Sequence, residues 1–137
     1  MNTISIEEGQ ELQLDFSKIQ KIFRLNHHVI PAVVQDARTK DVLIVGYINA
    51  EAFDVSVNTG CVTLWSTSRN QLWEKGKTSG DSLDIQDIRV NCEQNSVLFL
   101  VKPKGIGACH TKNQKGQSRK SCFYRRVVNG KLELLEL

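Results

Sequence analysis

Three cysteines and a histidine carry the chemistry that this chain can do. Cys109-His110-Thr111 is followed by Ser121-Cys122-Phe123-Tyr124-Arg125, and a third thiol, Cys92, stands upstream. Thiolates hold zinc tightly, and a site with three protein ligands keeps a fourth position for a water that loses its proton near neutral pH. Such a water attacks electron-poor carbon. Spacing tempers the reading, because the three thiols lie far apart and do not form the close pairs of a zinc finger. Cys92 falls in strand phase with Val90, so core packing and ligation both stay open for it. For Cys109 and Cys122 ligation is the better reading. Cys61, in an apolar stretch without polar companions, reads as core. His110 is open to three roles: a fourth ligand, a general base or a loop residue. The near-neutral pKa of histidine suits proton transfer, and the catalytic role is preferred. His27 and His28 have no carboxylate or cysteine close in sequence and read as solvated loop.

A single domain must position these groups. The 137 residues, 40% of them hydrophobic, suit one core, and no internal repeat, low-complexity tract or linker divides them. The net charge of +3 is too small to argue for a dedicated nucleic-acid binder. The first residues lack a basic and apolar leader pattern, and no stretch is long and apolar enough to span a bilayer. A cytoplasmic protein with no membrane partner is expected. In that reducing setting four cysteines are thiols or metal ligands rather than disulfides.

Periodicity predicts a short helix over residues 15–23, with Phe16, Ile19, Ile22 and Phe23 on one face. Residues 30–35 and 42–48 read as strands joined by the polar turn 36–41, a hairpin. Asn49 can cap a helix that runs through Asn58 and stops at Gly60. Residues 61–65 read as a third strand, and 66–80 as a polar, irregular loop that is a candidate ligand-binding segment. Along residues 83–92 the apolar alternation changes phase, which predicts a bulge near Gln86-Asp87. Residues 97–101 are apolar on both faces and should be buried. Asn129-Gly130 suits the positive φ angles of a type I′ turn, so the end of the chain should be a hairpin. Trp65, in a strand, reads as core; Trp73, in the polar loop, is more open to a ligand.

Several motifs in order resemble a known family. Ile30-Pro31-Ala32-Val33-Val34-Gln35-Asp36, Leu64-Trp65-Ser66-Thr67-Ser68-Arg69, Leu72-Trp73-Glu74-Lys75-Gly76-Lys77-Thr78-Ser79-Gly80, Ala108-Cys109-His110-Thr111 and Ser121-Cys122-Phe123-Tyr124-Arg125 are similar to those of phosphoribosyl-AMP cyclohydrolases of histidine biosynthesis. The resemblance covers residues 30–125, between an amino-terminal extension with a short helix (1–29) and a terminal hairpin (126–137). It implies an α+β fold of mainly antiparallel sheet with one or two short helices, and a homodimer with active sites at the subunit interface. It also implies zinc-dependent opening of the adenine ring of phosphoribosyl-AMP between N1 and C6. Carried over by motif, zinc is held by Cys92 of one chain with Cys109 and Cys122 of the other, and His110 moves the protons. Arg69, Lys75, Gly76, Lys77, Thr78, Ser79, Gly80 and Thr111 would bind the nucleotide, charges and backbone N–H groups meeting its phosphates. Without the family motif the 75–80 stretch would read as a solvated, lysine-bearing turn.

Two departures stand out. The family usually has an Asp-Cys-Asp-x-Asp pattern assigned to magnesium, whereas this chain has Asn91-Cys92-Glu93-Gln94-Asn95. Magnesium prefers anionic oxygens, so Asn91, Glu93 and Asn95 make a weakened or substrate-completed site, or an unused one. Between Cys109 and Cys122 lie twelve residues, about twice the usual number for the motif. A longer loop costs little, so both thiols can still converge. Lys112, Lys115, Arg119 and Lys120 in it read mainly as solvating charges. Two rivals remain: a hydrolase of a different nucleotide, suggested by the lost carboxylates, and a non-catalytic zinc-stabilised RNA-binding module using the basic loop and Trp73. The second predicts a closed zinc site and steeply salt-dependent binding.

Overall fold

A computed structural model of the protein describes residues 3–76, 80–105 and 107–135, with side chains from residue 6 onward. Among them the order is α1 (Thr3–Glu8), α2 (Lys18–Arg24), β1 (Ile30–Asp36), β2 (Val42–Ile48), α3 (Ala50–Thr59), β3 (Thr63–Ser66), β4 (Gln71–Glu74), β5 (Leu83–Val90), β6 (Val97–Pro103), β7 (Arg125–Val128) and β8 (Lys131–Leu134). The fold is α+β, its strand pairings antiparallel except where β1 meets β6. No helix among the described residues is long and apolar enough to cross a membrane.

The main sheet has the order β2-β1-β6-β5. β1 and β2 are the hairpin that the turn residues predict. The Asp36 carboxylate accepts the backbone N–H groups of Arg38 at 2.8 Å and Thr39 at 3.1 Å, the local bonding by which an aspartate closes a turn. β6 is flanked on both sides, and its Val97, Phe99, Leu100 and Val101 are buried, as an interior strand apolar on both faces requires. Its pairing with β5 slips between Ile85 and Asp87, so the expected bulge is present where the alternation changes phase.

α3 begins and ends where the sequence says. Asn49 Oδ1 accepts from Ala52 N at 2.8 Å, and Gly60 closes the helix with φ +74°. Buried Ser56 then ties α3 to β3, its hydroxyl donating to Ala52 O at 2.8 Å and accepting from Thr63 N at 2.9 Å. The terminal hairpin turns on Asn129 (φ +51°) and Gly130 (φ +76°), also as predicted.

Four expectations change. Residues 66–80 are not irregular throughout: β4 pairs antiparallel with β3, and Leu72 and Trp73 pack against the core, so Trp73 is a packing residue. Trp65 also packs on the core, but its indole N–H donates to His27 Nδ1 at 3.3 Å, which gives that histidine a partner. Cys61 is half-buried and has a polar companion, its thiol lying 3.5 Å from Asp84 Oδ1. The predicted amino-terminal helix is α2, one of three short helices among the described residues where one or two were expected; it starts later than expected, after the Asp15 carboxylate has accepted Ser17 N–H at 3.0 Å, and within it only Ile22 is buried. Phe16 is 92% and Phe23 82% exposed, so the apolar face points away from this chain's core.

Candidate active site

Backbone pairing builds the thiol site. Ser121 Oγ donates to Val42 O at 2.7 Å and Cys122 N to Leu43 O at 2.8 Å, which fastens the second thiol to the outer strand of the main sheet. The first thiol is brought to it by the long loop. Ala108 N bonds Lys120 O and Cys109 N bonds Arg119 O, each at 3.0 Å, while Arg119 N returns to Thr111 O at 3.1 Å. Lys112 and Ser118 bridge, and Asn113 Oδ1 holds the tip by accepting from Lys115 N at 2.9 Å and Gln117 N at 3.0 Å. The twelve intervening residues therefore fold back as a small hairpin. Gly107 lies against its base: a Cβ there would stand 2.2 Å from Ser118 O and 2.4 Å from Arg119 O. Only glycine fits.

The two thiols interact and share one proton. Cys109 is buried, and a hydrogen bond from the Cys122 thiol, helped by the Thr111 hydroxyl and N–H, outweighs burial and pulls its pKa down to about 5. Thr111 Oγ1 lies 3.0 Å from the sulfur. Cys122 is exposed as a residue, yet its thiol is driven well above the ordinary range by the bond it gives Cys109, by burial and by the thiolate's charge. The arrangement is one thiolate steadied by a neighbouring thiol, and a soft cation can replace that shared proton.

A cation already faces the pair. Lys75, only 4% exposed, has its pKa lowered by burial, against the attraction of Asp81 and of both thiols. It is not the solvated lysine of a surface turn. Gly76 (φ +81°) and Gly105 press on Asp81, where a Cβ would lie 2.2 Å and 1.7 Å from the nearest Asp81 atoms. Ser118 Oγ donates to Asp81 Oδ2 at 3.0 Å and accepts from Lys112 Nζ at 2.8 Å, so the loop is docked.

His110 is exposed, and its Nε2 lies 2.6 Å from Glu7 Oε2. Thr111 is buried beside Cys109. Arg69 stands exposed on the turn between β3 and β4, its N–H on Ser66 Oγ. Gly80 follows with φ +79°, while Lys77, Thr78 and Ser79 lie outside the described residues. Cys92 is exposed on the turn between β5 and β6, which removes the core-packing alternative for it. Among the described residues no three Cys, His, Asp or Glu side chains gather in a metal-holding group, so one chain does not bring Cys92 to Cys109 and Cys122. Around Cys92 the polar side chains bond one another. Asn91 Oδ1 accepts from Asn95 N and Ser96 N, each at 2.9 Å, Asn91 Nδ2 donates to Asn95 Oδ1 at 2.6 Å, and Asn95 Nδ2 donates to Glu93 Oε2 at 3.0 Å.

The amino-terminal strap is the part that spacing could not reveal. Arg119, expected to solvate the loop, has a side chain only 10% exposed; it pairs with Glu8, donates to Thr111 Oγ1 at 3.2 Å and lies 4.1 Å over the Tyr124 ring. Tyr124 Oη donates to Glu7 O at 2.6 Å, and Arg125 donates to Ile6 O and Gly9 O at 2.7 and 2.8 Å. Lys120 likewise pairs with Asp41 at 2.7 Å, so it too is more than a solvating charge. A cleft of about 210 Å³ beside Cys122 is lined by Phe123, Arg125 and strap residues including Ile6.

The family model for phosphoribosyl-AMP cyclohydrolase matches residues 44–124, a span that holds all three thiols and His110. A phosphoribosyl-AMP cyclohydrolase of Hyphomonas neptunium is 46% identical over 104 residues, 76% of this chain and 74% of the relative. That of Rhodopseudomonas palustris is 41% identical over 125 residues, 91% of this chain and 74% of the relative. That of Archaeoglobus fulgidus is 44% identical over 99 residues, 72% and 85% of the two chains. The chain belongs to the phosphoribosyl-AMP cyclohydrolase family.

Proposed function

We propose that this chain is a zinc-dependent hydrolase that adds water at C6 of phosphoribosyl-AMP and breaks the N1–C6 bond, giving the formimino-aminoimidazole carboxamide ribotide. The observation that carries the reading is the Cys109–Cys122 pair, one thiolate and one thiol in contact with Lys75 facing them. The donor set fits zinc, which takes thiolate ligands readily. Two donors come from one chain, and the exposed Cys92 of a second copy would supply the third, so the active form is a homodimer with sites between subunits. Bound zinc supplies a Lewis acid and a water of near-neutral pKa.

The chain's own residues do the rest. Thr111 Oγ1 holds the Cys109 sulfur in place, and the Lys75 ammonium offsets the negative charge that the thiolates gather. His110 stands beside the pair as the proton carrier: it accepts the proton of the attacking water and returns one to N1 as that nitrogen leaves C6. Arg69, exposed on the turn between β3 and β4, would take a substrate phosphate. For magnesium the fit is poor. The Asn91 and Asn95 oxygens accept hydrogen bonds within their own turn, leaving Glu93 as the single carboxylate there.

The test is incubation of the purified protein with phosphoribosyl-AMP, following ring opening by ultraviolet absorbance, with Cys109→Ala beside it. Product from the native protein and none from the variant is the expected result. Unchanged substrate with the native protein would sink the assignment, and equal turnover by both would remove zinc from it.

A further inference from the structure

Proton transfer at His110 needs a ring held in one orientation and one tautomer, and an exposed loop histidine has neither by itself. This one has a carboxylate 2.6 Å from Nε2. An ionised carboxylate only accepts, so the hydrogen between them sits on Nε2, and in a neutral ring the accepting nitrogen is then Nδ1. The carboxylate comes from Glu7, which lies 103 positions away and outside the span matched by the family model. It is itself well fixed. Tyr124 Oη bonds its carbonyl at 2.6 Å, Arg125 holds the carbonyls of Ile6 and Gly9, and the next residue, Glu8, is paired with Arg119. Three hydrogen bonds from the Cys122 motif and two from Arg119 in the loop before it therefore fasten residues 6–9 around that one side chain.

We infer that Glu7 is a positioning residue for His110, its carboxylate holding the imidazole as the Nε2–H tautomer with Nδ1 free to take the proton in the ring-opening step. The inference rests on the proposed role of His110, and it adds that the amino-terminal strap is part of the catalytic apparatus. Glu7 reaches Cys122 through its charge alone, the smallest of the influences on that thiol, so its loss should leave the thiol ligands in place.

Glu7→Ala, Glu7→Gln and His110→Ala would be compared with the native protein in kcat, KM, zinc content and melting temperature. The tautomer of His110 would be read from long-range proton–nitrogen correlations of protein labelled with ¹⁵N-histidine. The expected result for Glu7→Ala is a kcat lower by about ten- to a hundred-fold, part of what general acid–base catalysis contributes, with KM and zinc content unchanged. Its His110 should show a mixture of tautomers where the native protein shows Nε2–H alone. Glu7→Gln, which keeps an oxygen acceptor, should retain more kcat than Glu7→Ala. A single unchanged tautomer in Glu7→Ala overturns the inference, as does native kcat in that variant while His110→Ala is inactive. Full activity in His110→Ala would instead defeat the catalytic reading of the histidine, and the nitrogen spectra would still report whether Glu7 orients it.

Discussion

Arg119 and Glu8 are 111 positions apart in the chain and meet through two parallel hydrogen bonds, each 2.8 Å. A bidentate guanidinium–carboxylate pair is the strongest form of this contact, and here it joins the amino terminus to the loop between the two thiols.

The pair makes part of the stability pH-dependent. Arg119, chiefly through its hydrogen bonds, holds the Glu8 carboxyl below its ordinary 4.5. A carboxyl with a depressed folded-state pKa stabilises the fold above its unfolded value, and that contribution fades as pH falls through the folded value. With Glu8 43% exposed, solvent screening keeps the contribution near about 1 kcal/mol. Glu8→Gln should therefore melt a few degrees below the native protein at pH 7, on the order of what about 1 kcal/mol shifts a domain of this size. The gap should narrow between pH 7 and about pH 3, because the contribution is lost as the folded-state carboxyl, held below 4.5, takes up its proton. Melting curves at the two pH values check this, and an equal gap at both refutes it.

An active site shared between copies predicts complementation. Cys92→Ala and Cys109→Ala homodimers should each be inactive. After denaturation and refolding as an equimolar mixture, half the dimers are hybrids with one intact site, so activity should return to about a quarter of native. Recovery near zero would mean that all three thiols serve within one chain or that Cys92 is no ligand.

Gly107→Ala tests the hairpin that brings the thiols together. A methyl group 2.2 Å from the Ser118 carbonyl must push the loop off Cys109. The expected cost is about 3 kcal/mol by denaturant unfolding, the upper part of the usual overpacking range, together with weaker zinc retention against a chelator. Native stability in the variant would show that the loop is not packed on that glycine.

Magnesium should matter little. After exhaustive chelation and return of zinc alone, added magnesium should change the rate by less than about two-fold, because neutral amide oxygens are weak partners for a hard cation. A larger, saturable response would mean that substrate completes a site at Glu93.

Local chemistry was legible in the order of residues. Asn49 and Gly60 mark the ends of α3, Asn129-Gly130 makes a turn, and the phase change near Gln86 makes a bulge, because each rests on the preferences of a few neighbouring residues. The candidate site was legible as a list of chemical types, since thiols and a histidine are rare and their motifs are distinctive. β4 escaped because four residues beside a polar turn carry too little alternation to read as a strand. What only the tertiary structure decided are relations between distant residues. Cys109 meets Cys122 because a hairpin inside the long loop closes the gap. Lys75 turns inward to the thiols, Cys61 finds Asp84, and Glu7 and Glu8 reach His110 and Arg119. The apolar face of α2, a core face by its spacing, is left open to solvent in the single chain. Periodicity reports which side of a helix is apolar, and only the packed fold determines what that side meets.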